Sequence, residues 1–289
     1  MLIFALAAAV LYGTADFCGG VAARRASPFA VIALTMPAGA FVVLAVVAAV
    51  GLTRGGALTA FGGWDCAGWA AAGGAAGALG LIAFYAGFAS APMSVVAPLS
   101  ALVSAVLPIG VAMADGERPG APVIVGALIC LAAIVLVSAE PGAARSAHKL
   151  LGLGYGIAAG AAFGLFFLFL KNAGHSAVLW PVAVQRLVGS AVALSAFALW
   201  RGATAGPGRP AINRQLLRIA LISGALDSTA NVCYVLATRM GMFGLAVVIT
   251  SLYPGATVLL ARFVLRERMR TIQQVGLVLA AAGVVLVSI

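Results

Sequence analysis

The sequence predicts an all-α membrane protein in which ten transmembrane helices form two inverted five-helix repeats around a central cavity. Three observations carry that prediction. Of the 289 residues, 64% are hydrophobic and 8% charged, and the mean hydropathy is +1.15, which is more apolar surface than a water-soluble fold can bury. Apolar runs of about 18 to 25 residues, each able to cross roughly 30 Å of hydrocarbon at about 1.5 Å per residue, recur along the whole length. The second half of the chain also repeats the first at a fixed offset.

The first run, Leu2 to Ala23, has no basic leader and exceeds the core of a signal peptide, so it reads as a membrane helix. Pro28 to Val50, Asp65 to Phe88, Ser94 to Ala114 and Ala121 to Ser138 follow. Leu151 to Leu170, Ala177 to Trp200, Leu216 to Ala237, Phe243 to Leu265 and Thr271 to Ile289 complete the set. Acids mark the borders: Asp65, Asp115, Glu117, Glu140 and Glu267 fall at run ends or between runs. The longest connection, RGATAGPGRPAINRQ from Arg201 to Gln215, reads as a solvated loop by its Gly, Pro and Arg content. Gly152, Gly156, Gly160 and Gly164 form a smooth ridge on the sixth helix, with Gly73 and Gly77 a smaller one on the third, a pattern that lets membrane helices approach closely.

The repeat is clearest where each half ends. GERPGAPVIVGALICLAAIVLVS, Gly116 to Ser138, aligns with RERMRTIQQVGLVLAAAGVVLVS, Arg266 to Ser288, at an offset of 150 that pairs Glu117 with Glu267 and Gly126 with Gly276. Gly39 and Gly189 keep the same offset, and Tyr85 and Tyr234 one residue less. The expected organisation is a first repeat over residues 1–140, a cytoplasmic linker over 141–150 and a second repeat over 151–289. Five is odd, so the second copy enters the membrane from the opposite side. Arg54, Arg118, Lys171 and Arg239 are the four basic residues on the N-terminal side, against twelve on the other; the positive-inside rule then puts both termini outside the cytoplasm of a multi-pass plasma (inner) membrane protein.

Several function classes are disfavoured. The net charge of +10 comes from basic residues at the ends of apolar runs, which speaks for topology and against a nucleic-acid partner. Cys18, Cys66, Cys130 and Cys233 are far apart, with no CxxC spacing and no nearby His, so no metal site, disulfide framework or cofactor is expected. No HExxH, GxGD or GxSG motif and no membrane-embedded His is present, which argues against an intramembrane enzyme. Lys171, His148 and His175 fall in loops.

The doubled ending, the stretch SLYPGATVLLARFVLRERMR from Ser251 to Arg270 and the opening LYGTADF resemble the EamA-type permeases of the ten-helix drug/metabolite transporter superfamily. The resemblance spans essentially the whole chain. It implies a basket of two interleaved repeats whose cavity is lined mainly by the first, third, fourth, sixth, eighth and ninth helices. It also implies export of small metabolites, amino acids among them. Arg186 matches a position where the family often has an arginine; its counterpart in the first half is Met36, and that of Pro254 is Ser104.

Only Asp16, Arg186 and Asp227 are charged and deep in the membrane. Each costs roughly 2.5 to 3.5 kcal/mol against lipid on insertion scales, so each should face protein or water. Ser223, Asp227, Asn231, Tyr234 and Thr238 recur at steps of 4, 4, 3 and 4, one polar stripe on an otherwise apolar helix. That stripe lines a water-accessible path or glues helices together, with the path favoured. Arg186, beside Gln185 and Ser190, binds a substrate carboxylate or pairs with Asp227 or Asp16. Thr250, Tyr253, Pro254 and Thr257 surround a proline that leaves the Thr250 carbonyl without its usual donor; Ser100, Ser104 and Pro108 form the first half's version. Paired breaks of this kind point to a transporter site. With Tyr12 and Tyr85 at the same depth, the candidate substrate-binding set is Tyr12, Asp16, Tyr85, Arg186, Asp227, Asn231, Tyr234, Thr250 and Tyr253.

These readings lead to a secondary transporter of small organic metabolites working by alternating access, expected to export amino acids or related amphipathic compounds. A zwitterion suits an Asp227/Arg186 pair, while an amine needs only the acids. Asp16 and Asp227 are the candidates for proton coupling, because a partly desolvated carboxylate can bind and release a proton in each cycle. The expected partners are the bilayer, a small-molecule substrate and protons, and the expected state is a monomer or weak homodimer. The alternative is an intramembrane enzyme or a non-transporting scaffold or receptor, which leaves the inverted duplication unexplained.

Overall fold

A computed structural model describes residues 1–23, 26–54, 62–90, 93–137, 147–174, 178–203, 214–264 and 270–288. Among these residues it is built of α-helices and contains no strand. The elements are α1 (Leu2–Ala23), α2 (Pro28–Arg54), α3 (Gly63–Ser90), α4 (Met93–Ala114), α5 (Ala121–Val137), α6 (Ala147–Ala173), α7 (Leu179–Ala203), α8 (Arg214–Arg239), α9 (Phe243–Thr250), α10 (Tyr253–Val264) and α11 (Thr271–Ser288). Helix α6 begins inside the expected 141–150 linker. Glu140, Glu267, His175 and most of the 201–215 loop lie outside the described residues.

Six helices are long and apolar enough to cross a membrane, and shorter apolar helices run over Leu99–Ala114, Ala121–Leu136, Phe243–Thr257 and Thr271–Leu286. The outer surface agrees with that reading. Phe41, Leu199, Phe263 and Val278 are exposed, as side chains bathed in lipid rather than water must be. Inside, the core is built largely of alanine and glycine, because without a hydrophobic drive between helices in lipid, close approach of small residues supplies the packing energy.

The ninth predicted helix is two helices. Pro254 has no N–H to give the Thr250 carbonyl, so α9 stops at Thr250. The turn is completed by Ser251 N–H to Val247 O at 2.8 Å, Leu252 N–H to Ile249 O at 3.1 Å and Gly255 N–H to Leu252 O at 2.9 Å. A kink was expected there; the structure has a two-residue break.

Helix α3 packs on α6 and α7, α1 on α8, α9 and α10, α2 on both α7 and α8, α4 on α6 and α9, and α5 on α11. Two crossings depend on glycine pairs. A Cβ on Gly224 of α8 would meet the Thr35 carbonyl of α2 and stand 2.8 Å from Gly39 N. A Cβ on Gly189 of α7 would stand 3.2 Å from the Gly74 carbonyl of α3. On α6, Gly160 and Gly164 lie against the Ser100 and Ser104 backbone of α4, so the glycine ridge is a packing surface.

Two large apolar clusters occupy opposite ends of the same helices. One takes Val43 and Val47 of α2, Phe166 to Leu170 of α6 and Ala230 to Val235 of α8. The other takes Val31 to Met36 of α2, Ala159 of α6 and Leu216 of α8. Arg186 and Asp227 fall in the stretch of chain between them.

Glu117 fixes the start of α9. Its carboxylate accepts from Phe243 N–H at 2.7 Å and Gly244 N–H at 3.1 Å, satisfying two donors that a helix N-terminus leaves free. Lys171, at the end of α6, reaches Asp115 at 3.3 Å and sits 4.6 Å over the Phe243 ring. Glu117→Ala is expected to cost about 1 kcal/mol, read as a lower melting temperature with the helix content of the folded protein unchanged. Gly224→Leu should be far worse, because its side chain meets α2 backbone that cannot give way; size-exclusion chromatography should show aggregate instead of a single peak.

Candidate functional site

A partly open cavity lies between the two apolar clusters. Its polar wall is made by Tyr12 and Asp16 from α1, Gln185 and Arg186 from α7, Asp227 and Asn231 from α8, and Tyr253 from α10. Its apolar wall is made by Phe163, Phe166 and Phe167 of α6, Gly77 and Leu81 of α3, and Met36 of α2.

The core of the polar wall is an ion pair between Arg186 Nη2 and Asp227 Oδ2. Arg186 is 1% exposed, and a guanidinium so buried must give its donors to protein acceptors. Its Nη1 faces Met36 Sδ at 3.5 Å. Asn231, its oxygen oriented toward the guanidinium as a donor-only neighbour demands, accepts from Nη2 at 2.5 Å and Nε at 3.2 Å. The Asn231 nitrogen then meets the Tyr12 hydroxyl, and the Asn231 and Gln185 amides stand 3.1 Å apart. One network therefore ties α1, α2, α7 and α8 together at the depth of the cavity.

Asp16 is different. Half-buried and one helical turn from Tyr12, it has no hydrogen-bond or ion-pair partner among the described residues. Two hydroxyls hold its helix in place from either side: Ser223 of α8 donates to Ala15 O at 2.9 Å, and Thr257 of α10 donates to Gly13 O at 2.9 Å.

An aromatic layer closes the cavity toward the ends of the helices that carry the N-terminus. Tyr12 meets Phe167 edge-on at 6.1 Å, Phe167 lies 5.2 Å from Phe166 and 4.8 Å from Tyr234, and the Tyr234 hydroxyl donates to Phe167 O at 2.8 Å.

With this geometry in place, comparison with known proteins gives a family. Residues 150–289 match the EamA-like transporter family. A solved structure called "Crystal structure of protein" is similar over 98% of this chain and 94% of its own, with a TM-score of 0.77 at 17% identity; at that identity the likeness shows the fold alone. The search of curated proteins returned no match. With six apolar spans among the described residues, the chain is a multi-pass membrane protein whose second half is similar to the EamA-like transporter family.

The residues that match the family supply Arg186, Asp227, Asn231 and Tyr253 to the cavity, while Tyr12, Asp16 and Met36 come from the preceding half. Three residues of the expected set lie elsewhere. Tyr234 is fully buried in the aromatic layer behind the cavity. Tyr85 is buried among Phe84 and Phe88, its hydroxyl against Gly19. Thr250 is buried at the α9 break, its hydroxyl without a partner among the described residues.

The polar stripe of α8 divides as well. Asp227 and Asn231 line the cavity, whereas Ser223 and Tyr234 bond to neighbouring helices and Thr238 to its own helix, at Val235 O. Reading the whole stripe as cavity wall was therefore too broad. The apolar wall of α6 carries no signal in the sequence, since phenylalanines on a membrane helix look the same whether they face lipid, core or cavity.

Removing the arginine should expose how the pair is balanced. Arg186→Met leaves Asp227 uncompensated and is expected to cost roughly 3 kcal/mol, seen as a lower yield of monodisperse protein and a lower melting temperature. The double variant Arg186→Met/Asp227→Asn should regain most of that loss; a double variant as unstable as the single one would show that the guanidinium acts through its other contacts.

Proposed function

We propose that the chain is a secondary carrier of small organic, amphipathic metabolites that works by alternating access between two inverted five-helix repeats. The observation that carries the reading is a cavity whose wall is shared by both halves and carries three charges from apolar helices, Asp16, Arg186 and Asp227. Such charges are expensive in lipid and are retained where a path or a site needs them.

Pairing of contacts supports the repeat. The Gly39–Gly224 approach of α2 to α8 corresponds, at the offset of 150, to the Gly189–Gly74 approach of α7 to α3. The packing of α1 on α8 has the same relation to that of α6 on α3, and α5 packs on α11, the two ends of the halves that repeat in sequence. The six long spans and four shorter apolar helices fit ten crossings when α9 and α10 count as one broken span. Inverted repeats around a central site are the architecture with which carriers rock one half against the other.

The twelve-to-four charge count places both termini outside the cytoplasm of the inner membrane, and export is the direction the family resemblance implies. Asp16 and Asp227 are proposed for proton coupling. In proteoliposomes, counterflow with a panel of labelled metabolites should show trans-stimulation, which an enzyme, a channel or a scaffold does not give. Asp16→Asn should lose the acceleration produced by an imposed pH gradient; full gradient-driven transport in that variant would remove Asp16 from the coupling step.

A further inference from the structure

We propose that the cavity selects small organic cations with an apolar or aromatic body, anchored on the Asp16 carboxylate, and rejects compounds whose only charge is negative as well as zwitterions. This narrows the substrate class of the carrier proposed above and rests on that reading.

The charge balance of the cavity carries the inference. Asp16, Arg186 and Asp227 are its charged side chains. Arg186 cannot receive a substrate carboxylate: it is 1% exposed, and its Nε, Nη1 and Nη2 each face a protein acceptor in Asn231, Met36 or Asp227. Its charge in turn compensates Asp227. Among the described residues Asp16 has no ion-pair partner, and it lines the same space. With both acids ionised the cavity carries one uncompensated negative charge, and a carboxylate in so dry a place attracts a cation far more strongly than it would in water.

The surrounding walls suit the body of such a ligand. Phe163, Phe166 and Phe167, with Tyr12 and Tyr253, present aromatic surface around the acid, and a cation within about 6 Å of a ring centroid is attracted to its face. A zwitterion would bring its carboxylate into this space with no free donor cation to meet it and the uncompensated Asp16 to repel it. The expectation that Arg186 and Asp227 together hold an amino acid is replaced by one anchor of a single sign.

The test uses the full-length chain purified in detergent and four probes of one shape: phenethylamine as the cation, phenylalanine as the zwitterion, 3-phenylpropanoate as the anion and 2-phenylethanol as the neutral alcohol. Phenethylamine is expected to raise the melting temperature and to bind by isothermal titration, the other three to bind at least tenfold more weakly or not at all. Asp16→Asn should weaken phenethylamine binding at least tenfold, and Asp16→Glu should retain it. The proposal is overturned if phenylalanine or 3-phenylpropanoate binds as well as the amine, if the alcohol does, if the amine does not bind, or if Asp16→Asn binds it undiminished. Should Asp16→Asn not give monodisperse protein, the probe series on the unaltered chain decides alone. Counterflow of labelled phenethylamine separates the two proposals: binding without trans-stimulation keeps the cation site and removes the carrier, while trans-stimulated exchange of anions without amine binding keeps the carrier and removes the cation site.

Discussion

The Arg186–Asp227 pair is the constraint around which the rest of the structure is arranged. Two charges leave water at the depth of the bilayer where solvation is poorest, and their attraction offsets that loss only when the remaining donors of the guanidinium also find acceptors. This requirement brings Met36 from α2, Asn231 from α8 and, through Asn231, Tyr12 from α1 and Gln185 from α7 to one point. Four helices from both halves of the chain are thereby fixed at the same depth, and the cavity opens beside them.

Close approach of the helices is what allows such short side-chain contacts. Gly39 against Gly224 and Gly74 against Gly189 let α2 and α3 cross α8 and α7 at backbone contact, and hydroxyls that reach the carbonyls of Gly13 and Ala15 hold α1 on either side. Larger residues at the glycine positions would separate the helices and pull Arg186 from its acceptors. Packing and electrostatics are therefore coupled here, since the small residues decide whether the charged network can form at all. The aromatic layer of Tyr12, Phe166, Phe167 and Tyr234 packs against one side of this network.

The buried pair joins α7 to α8, while the carboxylate of α1 has no ion-pair partner among the described residues and lines the cavity together with the phenylalanines of α6. The break before Pro254 divides the ninth span into α9 and α10, both packed on α1, and the Glu117 cap ties the start of α9 to the turn after α4.

Much of this was legible in the sequence. Helix positions follow from apolar runs that must be long enough to cross hydrocarbon, and Asp16, Arg186 and Asp227 stand out because charge is expensive there. The discontinuity at Pro254 follows from a missing N–H. Other features depend on which helices become neighbours, and no local pattern encodes that. The sequence left Arg186 free to pair with Asp16 or Asp227, and only the packing of α7 against α8 decided for Asp227. Tyr85, Tyr234 and Thr250 lie on helices that border the cavity but do not line it, because depth is set by position along a helix whereas lining is set by the rotation of that helix in the bundle. Glu117, read as a border acid, turns out to cap a helix 126 residues further on. The sequence by itself determined the apolar helices and the charges set among them; the tertiary structure alone decided which of those charges are paired, because that depends on distances between segments far apart in the chain.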